Sequence, residues 1–193
     1  KRVAMLVDID PSGYTVGMAD RTQAALEAKG VAVTRVPVTP GLSDYSADIA
    51  TALASSPDLI YSSTYYPEGS KIALEIDSMD TDVKCFMVLA NVDPAFVTEA
   101  GIPASQRCVF VGTPTASQLP MARSYVREYR KAFGKAPGVW GTFTYDSANV
   151  LFAAMRKAGT TAYQPLSKAV KATKDFTGAS GAITFERPSG NRK

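Results

Sequence analysis

The side chains best suited to chemistry stand where predicted strands end: Tyr14 after the first strand, Tyr65 after the third, Asn91 and Asp93 after the fourth, and Thr113 after the fifth. The carboxyl ends of parallel strands meet at one edge of a sheet, and open α/β proteins bind ligands there. Tyrosine can stack on a ligand, hydrogen-bond through its hydroxyl and attract a cation at its ring face. This set therefore predicts a cleft for a small ligand with an apolar or aromatic body and a hydrogen-bond donor.

Several of these residues also have a purely structural interpretation. Tyr14 could pack at the start of a helix, and Asp93 could cap a helix because Pro94 follows it directly. Tyr66, next to Tyr65, is expected to lie under the following helix as part of the core. At the level of sequence both interpretations of Tyr14 and Asp93 stay open.

The Asp8-Ile9-Asp10 motif supports a different hypothesis, that of an enzyme. Phosphatases of the haloacid-dehalogenase type use such a motif after a first strand to hold Mg²⁺ and place a nucleophilic aspartate. They also need a later lysine and a further acidic pair at a strand end, where this chain has Leu89-Ala90-Asn91. A magnesium-dependent phosphatase that uses Asp8 and Asp10 is therefore kept as an alternative function.

The composition excludes several other kinds of site. The chain has no histidine, which excludes Ser-His or Cys-His catalysis and histidine-ligated metals. Its two cysteines, Cys85 and Cys108, are too few for a cysteine-only zinc site. They form either a disulfide, which needs an oxidising compartment, or two buried thiols. No phosphate-binding glycine loop and no nucleophile elbow follows a strand, so we predict no cofactor and no catalytic residue.

The elements that must position these residues alternate between strand and helix. Short apolar runs predict strands at 3–7, 31–38, 58–62, 83–89 and 108–111. The stretches that follow them predict helices at 14–29, 44–54, 67–79, 94–100 and 117–133. Near-continuous Val/Ile/Leu strands separated by helices predict an α/β fold with a doubly wound parallel sheet.

The alternation stops after residue 133. A Gly/Pro-rich break at 134–141 precedes two helices, at 142–157 and 163–174, with no strand between them. A single late strand is predicted at 178–185. This order predicts a chain that leaves its first domain and then returns to it.

Composition and charge narrow the range of partners. The chain has 193 residues, 46% of them hydrophobic, which is enough for one substantial core. A net charge of +3 is too weak to predict nucleic acid or an anionic membrane as a partner. The basic residues of 117–133 share that segment with Met121, Tyr125, Tyr129 and Phe133, whose four-residue spacing is typical of an amphipathic helix with a solvated basic face. No run approaches the ~20 apolar residues of a membrane span.

Four segments, taken in order, resemble the periplasmic solute-binding proteins of the branched-chain amino acid (Leu/Ile/Val) type. Residues 1–17 resemble the strand, turn and tyrosine that open that family's second lobe, and 37–69 resemble its next unit. Residues 138–159 resemble the return segment, with a Tyr-Asp pair before an Ala-rich helix, and 175–193 resemble the F-x-G-x-x-G-x-[IL]-x-F ending. The order and spacing of the four segments carry the resemblance.

The resemblance implies a clamshell of the type I periplasmic-binding fold, which closes on a solute and presents it to the membrane permease of an ABC transporter. It implies no catalysis, and a periplasmic or extracellular location that is compatible with a lipid anchor. By family position, Tyr14 and Tyr65 line the cleft. The family's amino-acid binders have an acid after the fourth strand where this chain has Asn91, so we expect an amino-acid-like or aromatic solute. Its polar contacts would come from Asn91, Asp93 and Thr113. A ligand-sensing regulatory domain of the same fold is a further alternative.

The same resemblance predicts how the chain divides. Residues 1–136 and 176–193 match the family's second lobe, and 137–175 match helices of the first lobe, most of which this chain would lack. The start of the chain carries no signal peptide, because its apolar run is too short. The apolar faces of helices 142–174 would then be exposed, and we expect self-association or another chain to cover them.

Overall fold

The computed structural model describes residues 1–9, 12–79, 81–187 and 189–192. Its residue contacts separate two compact units, Lys1–Gly112 (unit 1) and Thr113–Lys193 (unit 2), and each is described by itself. The division into lobes expected from the family resemblance stays a prediction.

Unit 1 alternates strand and helix, as the sequence predicts. Its strands are β1 (Arg2–Asp8), β2 (Ala32–Val38), β3 (Leu59–Ser63), β4 (Lys84–Met87) and β5 (Cys108–Phe110). Its α-helices are α1 (Tyr14–Glu27), α2 (Ser46–Ala54), α3 (Tyr66–Ser78) and α4 (Pro94–Gln106). A short 3-10 helix, Leu89–Asn91, follows β4.

The five strands form one parallel sheet in the order β2-β1-β3-β4-β5. Side chains of β1 alternate between two cores: Ala4 and Leu6 pack with α2, α3 and α4, whereas Met5 packs with α1. Helices therefore cover both faces of the sheet, and the predicted α/β fold with a doubly wound parallel sheet is confirmed. The partly buried Tyr66 packs against the first of these cores, which confirms its predicted place under the helix.

Helix α4 runs past its predicted end at residue 100. It contains a break at Gly101, whose φ of 73° and ψ of 166° are not helical, and Pro103 follows directly. The sequence prediction stopped at this break, because Gly and Pro are poor helix formers. In the structure the helix resumes and continues to Gln106.

Cys85 and Cys108 form a disulfide, which excludes the alternative of two buried thiols. They are direct register partners on the neighbouring strands β4 and β5, with Cα atoms 4.5 Å apart. The bond therefore closes the β4–α4–β5 segment covalently.

Unit 2 is mostly helical. Its α-helices are α5 (Arg123–Phe133), α6 (Gly141–Ala158) and α7 (Tyr163–Lys171). The helix predicted at 117–133 is interrupted: two 3-10 turns, Ala116–Gln118 and Pro120–Ala122, precede α5. Leu119, between them, is extended because the following Pro120 disfavours the helical region for the residue before it.

The single late strand predicted at 178–185 is wrong. Two three-residue strands, β6 (Phe176–Gly178) and β7 (Gly181–Ile183), form an antiparallel hairpin instead. Gly181 has a φ of 108°, which permits the reversal between the strands. The glycine spacing that resembled one strand is therefore the turn of a hairpin.

A buried carboxylate holds this hairpin against α6. Asp146 accepts hydrogen bonds from the backbone N–H groups of Ala179 and Ser180, at 2.7 Å each, and one from the Ser180 hydroxyl. A Cβ at Gly178 would overlap the Asp146 carboxylate, so a glycine is required there. The Tyr-Asp pair noted in the sequence therefore has a structural role.

The apolar side chains of α6 and α7 are unevenly covered. Val150 is buried, whereas Leu151 and Phe152 are exposed. The expectation that a second copy or another chain covers this face stays a prediction. Among the described residues, no helix has the length and apolar character that crossing a membrane requires.

Candidate functional site

Tyr14 and Tyr65 lie next to each other at the carboxyl edge of the unit 1 sheet. Their ring centroids are 6.1 Å apart and their planes are tilted by 34°. Tyr14 is 38% exposed and Tyr65 is 36% exposed, so both rings are open to solvent on one side. The structure thus brings together the two tyrosines that the sequence placed on one rim.

The backbone explains why the two rings meet. Tyr14 is the first residue of α1, and Gly13 before it has a φ of 71° that turns the chain into the helix. Tyr65 is the extended N-cap residue of α3, which has Pro67 in its first turn. Because β1 and β3 are neighbours in the sheet, the two helix starts that follow them lie side by side.

Hydroxyl groups below the rings hold this edge together. The Thr15 hydroxyl donates to the Asp8 carbonyl at 2.6 Å, and the Ser63 hydroxyl donates to the Thr15 carbonyl at 2.7 Å. The Ser62 and Thr64 hydroxyls share a hydrogen bond of 3.0 Å. All five residues are buried, so these bonds position the β1–α1 and β3–α3 connections beneath the tyrosines.

The electrostatics of the rim keep Tyr14 neutral. Partial burial raises the pKa of the Tyr14 phenol above its ordinary value of 10.0, and the nearby phenols of Tyr65 and Tyr61 add to the rise. At neutral pH the Tyr14 hydroxyl therefore carries its proton and can donate a hydrogen bond to a ligand.

Asn91 is fully buried, with 0% of its surface exposed. Its Nδ2 donates to the Thr64 carbonyl at 2.8 Å, which ties the end of β4 to the β3–α3 connection. Its Oδ1 lies against Gly69 of α3, where a Cβ would overlap it. In this structure Asn91 supports the edge from below and does not face an open cleft, so direct contact with a ligand stays a prediction.

Asp93 is the N-cap of α4 and accepts a hydrogen bond from the Ala95 backbone N–H at 2.8 Å. The capping interpretation of Asp93 is confirmed, and its contact with a ligand stays a prediction. Thr113 is half-buried and is the first residue of unit 2, so it is not part of the edge formed by unit 1. Its contact with a ligand stays a prediction as well.

The residues of the phosphatase alternative are not arranged as a metal site within the described part of the chain. Asp8 is only 1% exposed, and Asp10 lies outside the described residues. Among the residues that the structure describes, no group of three or more His, Cys, Asp or Glu side chains is placed to hold a metal ion. Nothing here favours that alternative.

Unit 2 contains a cavity of about 500 Å³ that the sequence analysis did not predict. Its wall is an aromatic row on α5 and α6: Tyr125 lies 5.7 Å from Tyr129 and 4.7 Å from Tyr145, and Tyr129 lies 4.5 Å from Phe133, measured between ring centroids. The Tyr125 hydroxyl lies against Gly141, where a Cβ would come within 2.6 Å of it. The four-residue aromatic spacing was the available signal, but it predicts a helix face and not the cavity beside it.

Comparison with known proteins places this geometry in a family. A family model described as periplasmic binding protein matches residues 1–192. The Leu/Ile/Val-binding protein BraC3 of Rhizobium johnstonii is 26% identical over 190 residues, which are 96% of this chain and 50% of that protein.

Solved structures show the same fold. The leucine binding protein LivK from Thermotoga maritima superposes with a TM-score of 0.88 and 25% identity, over 100% of this chain and 55% of that chain. LivJ from Streptococcus pneumoniae, solved in complex with isoleucine, gives a TM-score of 0.80 at 22% identity, over 96% of this chain and 53% of that chain. The chain thus spans about half the length of the relatives it matches. It belongs to the periplasmic binding protein family, in the type I branch that includes the branched-chain amino acid binding proteins.

Proposed function

We propose that this chain is part of the solute-binding component of an ABC transporter, and that Tyr14 and Tyr65 form one wall of its ligand cleft. The solute is small and is amino-acid-like or aromatic. Members of this family are periplasmic or extracellular binding proteins, and we place this chain in the same location, with a membrane permease as its partner.

The observation that carries the proposal is the exposed tyrosine pair on a rigid edge. Two rings at 6.1 Å leave their outer faces and hydroxyls open, while buried hydrogen bonds hold the backbone beneath them. Such an edge can cover an apolar or aromatic group and donate hydrogen bonds without first reorganising. It contains no group suited to covalent chemistry, in keeping with a binding role.

The acids near this edge support a solute whose contact with unit 1 is uncharged. The Asp93 carboxylate caps α4, and the buried Glu68 carboxylate accepts a hydrogen bond from the Gly41 backbone N–H at 3.1 Å. Both carboxylates are therefore already satisfied by backbone donors. We infer that the tyrosine pair contacts the apolar or aromatic body of the solute.

A thermal-shift screen followed by titration calorimetry tests the proposal. The panel contains leucine, isoleucine and valine, which the names and titles of BraC3 and LivJ suggest, together with aromatic acids and amides. A true ligand at 100 times its dissociation constant should stabilise the chain by about 2.7 kcal/mol. We expect Tyr14→Ala and Tyr65→Ala each to weaken binding by roughly tenfold, because an aromatic contact contributes about 0.5–1.5 kcal/mol beyond buried area.

Tyr163→Ala is the matched control, because its ring on α7 is 77% exposed and forms no described aromatic contact. It removes the same side chain and should leave the affinity unchanged. A ligand that binds equally well to Tyr14→Ala, Tyr65→Ala and Tyr163→Ala contradicts the proposed wall.

A further inference from the structure

Unit 2 has a depression on the basic face of α5, apart from the aromatic cavity. Its volume is about 310 Å³. The residues that line it, here called the arginine pocket, are Ala116, Ser117, Arg123, Val126, Arg127 and Arg130. The three arginines are spaced four and three residues apart, so they project from one face of the helix. The 3-10 turn opposite contributes small side chains, which leave room between the guanidinium groups.

The positive charge in this pocket is largely uncompensated. Arg127 pairs with Glu128 at 2.9 Å and also donates to the Ser124 hydroxyl at 3.2 Å, so its side chain is held in place. In the part of the chain that the structure describes, Arg123 and Arg130 form no ion pair. Like charges at this helical spacing destabilise a helix. An anion that enters the pocket would remove that repulsion.

We infer that the arginine pocket binds a compact anion that carries phosphate groups. A guanidinium presents its N–H donors in a planar fork that matches two phosphate oxygens, and three forks around one depression can contact several oxygens together. The pocket is concave and its volume is at the lower end for small-molecule sites, which favours a small soluble anion over a flat membrane surface. This site is independent of the proposed solute cleft in unit 1.

Titration calorimetry with pyrophosphate, at constant ionic strength, tests the inference on the full chain. We expect saturable binding at one site, weakened about tenfold or more in Arg123→Gln and in Arg130→Gln. Lys131→Gln is the matched control, since it removes the same charge from the same helix but does not line the pocket. It should change the affinity by less than about twofold, because an exposed charge outside the site acts only through a screened field. Circular dichroism verifies that each variant is folded.

Two further measurements separate a built site from general electrostatics. Arg130→Lys keeps the charge but loses the planar fork, so binding should remain weak. Vesicles of phosphatidylglycerol should not bind the chain more tightly than vesicles of phosphatidylcholine. The inference is overturned by an absence of saturable pyrophosphate binding, by equal losses in Lys131→Gln and Arg130→Gln, or by binding to anionic vesicles alone.

Discussion

At the scale of single residues, the polar groups at the carboxyl edge divide into those that are exposed and those that hold the backbone. Tyr14 and Tyr65 keep open ring faces, whereas Asn91 bonds to Thr64 and packs against Gly69. These roles cannot be told apart in the sequence, because all four follow predicted strands. The difference arises from contacts with residues that are distant along the chain.

The contact between Gly69 and Asn91 gives a prediction at this scale. Gly69→Ala should lower the free energy of unfolding by about 1–3 kcal/mol, because the new methyl group would overlap the Asn91 side chain in a packed interior. Urea denaturation followed by circular dichroism measures the change. Replacing Asn91 by Ala in the Gly69→Ala background should recover part of the loss, since it removes the overlapping atom.

Gly17→Ala serves as the control for this prediction. Gly17 lies inside α1 and a Cβ there would meet nothing within 4 Å. Alanine is the better helix former by roughly 0.8–1.0 kcal/mol, so this variant should be stabilised. Equal effects of Gly69→Ala and Gly17→Ala would show that the Asn91 contact is absent in solution.

At the scale of elements, the β4–α4–β5 segment combines a crossover with a covalent closure. The helix carries a break at Gly101, yet the strands on either side are joined by the Cys85–Cys108 disulfide. Both cysteines are buried, and they are register partners in the sheet. The bond therefore holds the edge strand β5 next to β4 even if the helix between them loosens.

Reduction of this disulfide should destabilise the chain. The bond joins residues separated by 23 positions, and closing a loop of that size contributes about 3 kcal/mol, mainly by restricting the unfolded chain. We expect dithiothreitol to lower the urea midpoint of the wild type and to leave a Cys85→Ala/Cys108→Ala double variant unchanged. A thiol assay on the denatured, unreduced chain should find no free thiol; two reactive thiols would disprove the bond.

At the scale of the whole molecule, the two units differ in how deeply their elements are buried. In unit 1, every residue of β1 after Arg2 is buried, and so are Ile60, Tyr61, Ser62 and Ser63 of β3. In unit 2, α5 and α7 contain no fully buried residue. Local stability depends on buried contacts, so the two units should open at different free energies.

Hydrogen exchange measured by mass spectrometry tests this difference. Amides of α5 and α7 should exchange faster than those of β1 and β3 by about two orders of magnitude, because helices with little buried surface open locally. Equal protection of these helices and the central strands in a monomer would contradict the prediction. Protection that rises with protein concentration would instead support the expected self-association.

The sequence by itself determined the α/β class, the parallel sheet and the positions of Tyr14 and Tyr65 on its rim, because these follow from local hydrophobic period and from where each strand ends. Only the tertiary structure decided that Asn91 is buried, that Cys85 and Cys108 are bonded, and that residues 176–183 form a hairpin. Each of these depends on a partner far away in the chain: Thr64 and Gly69 for Asn91, the facing strand for each cysteine, and Asp146 for the hairpin. Local pattern specifies which way a side chain points, whereas its burial and bonding are set by residues that folding brings beside it.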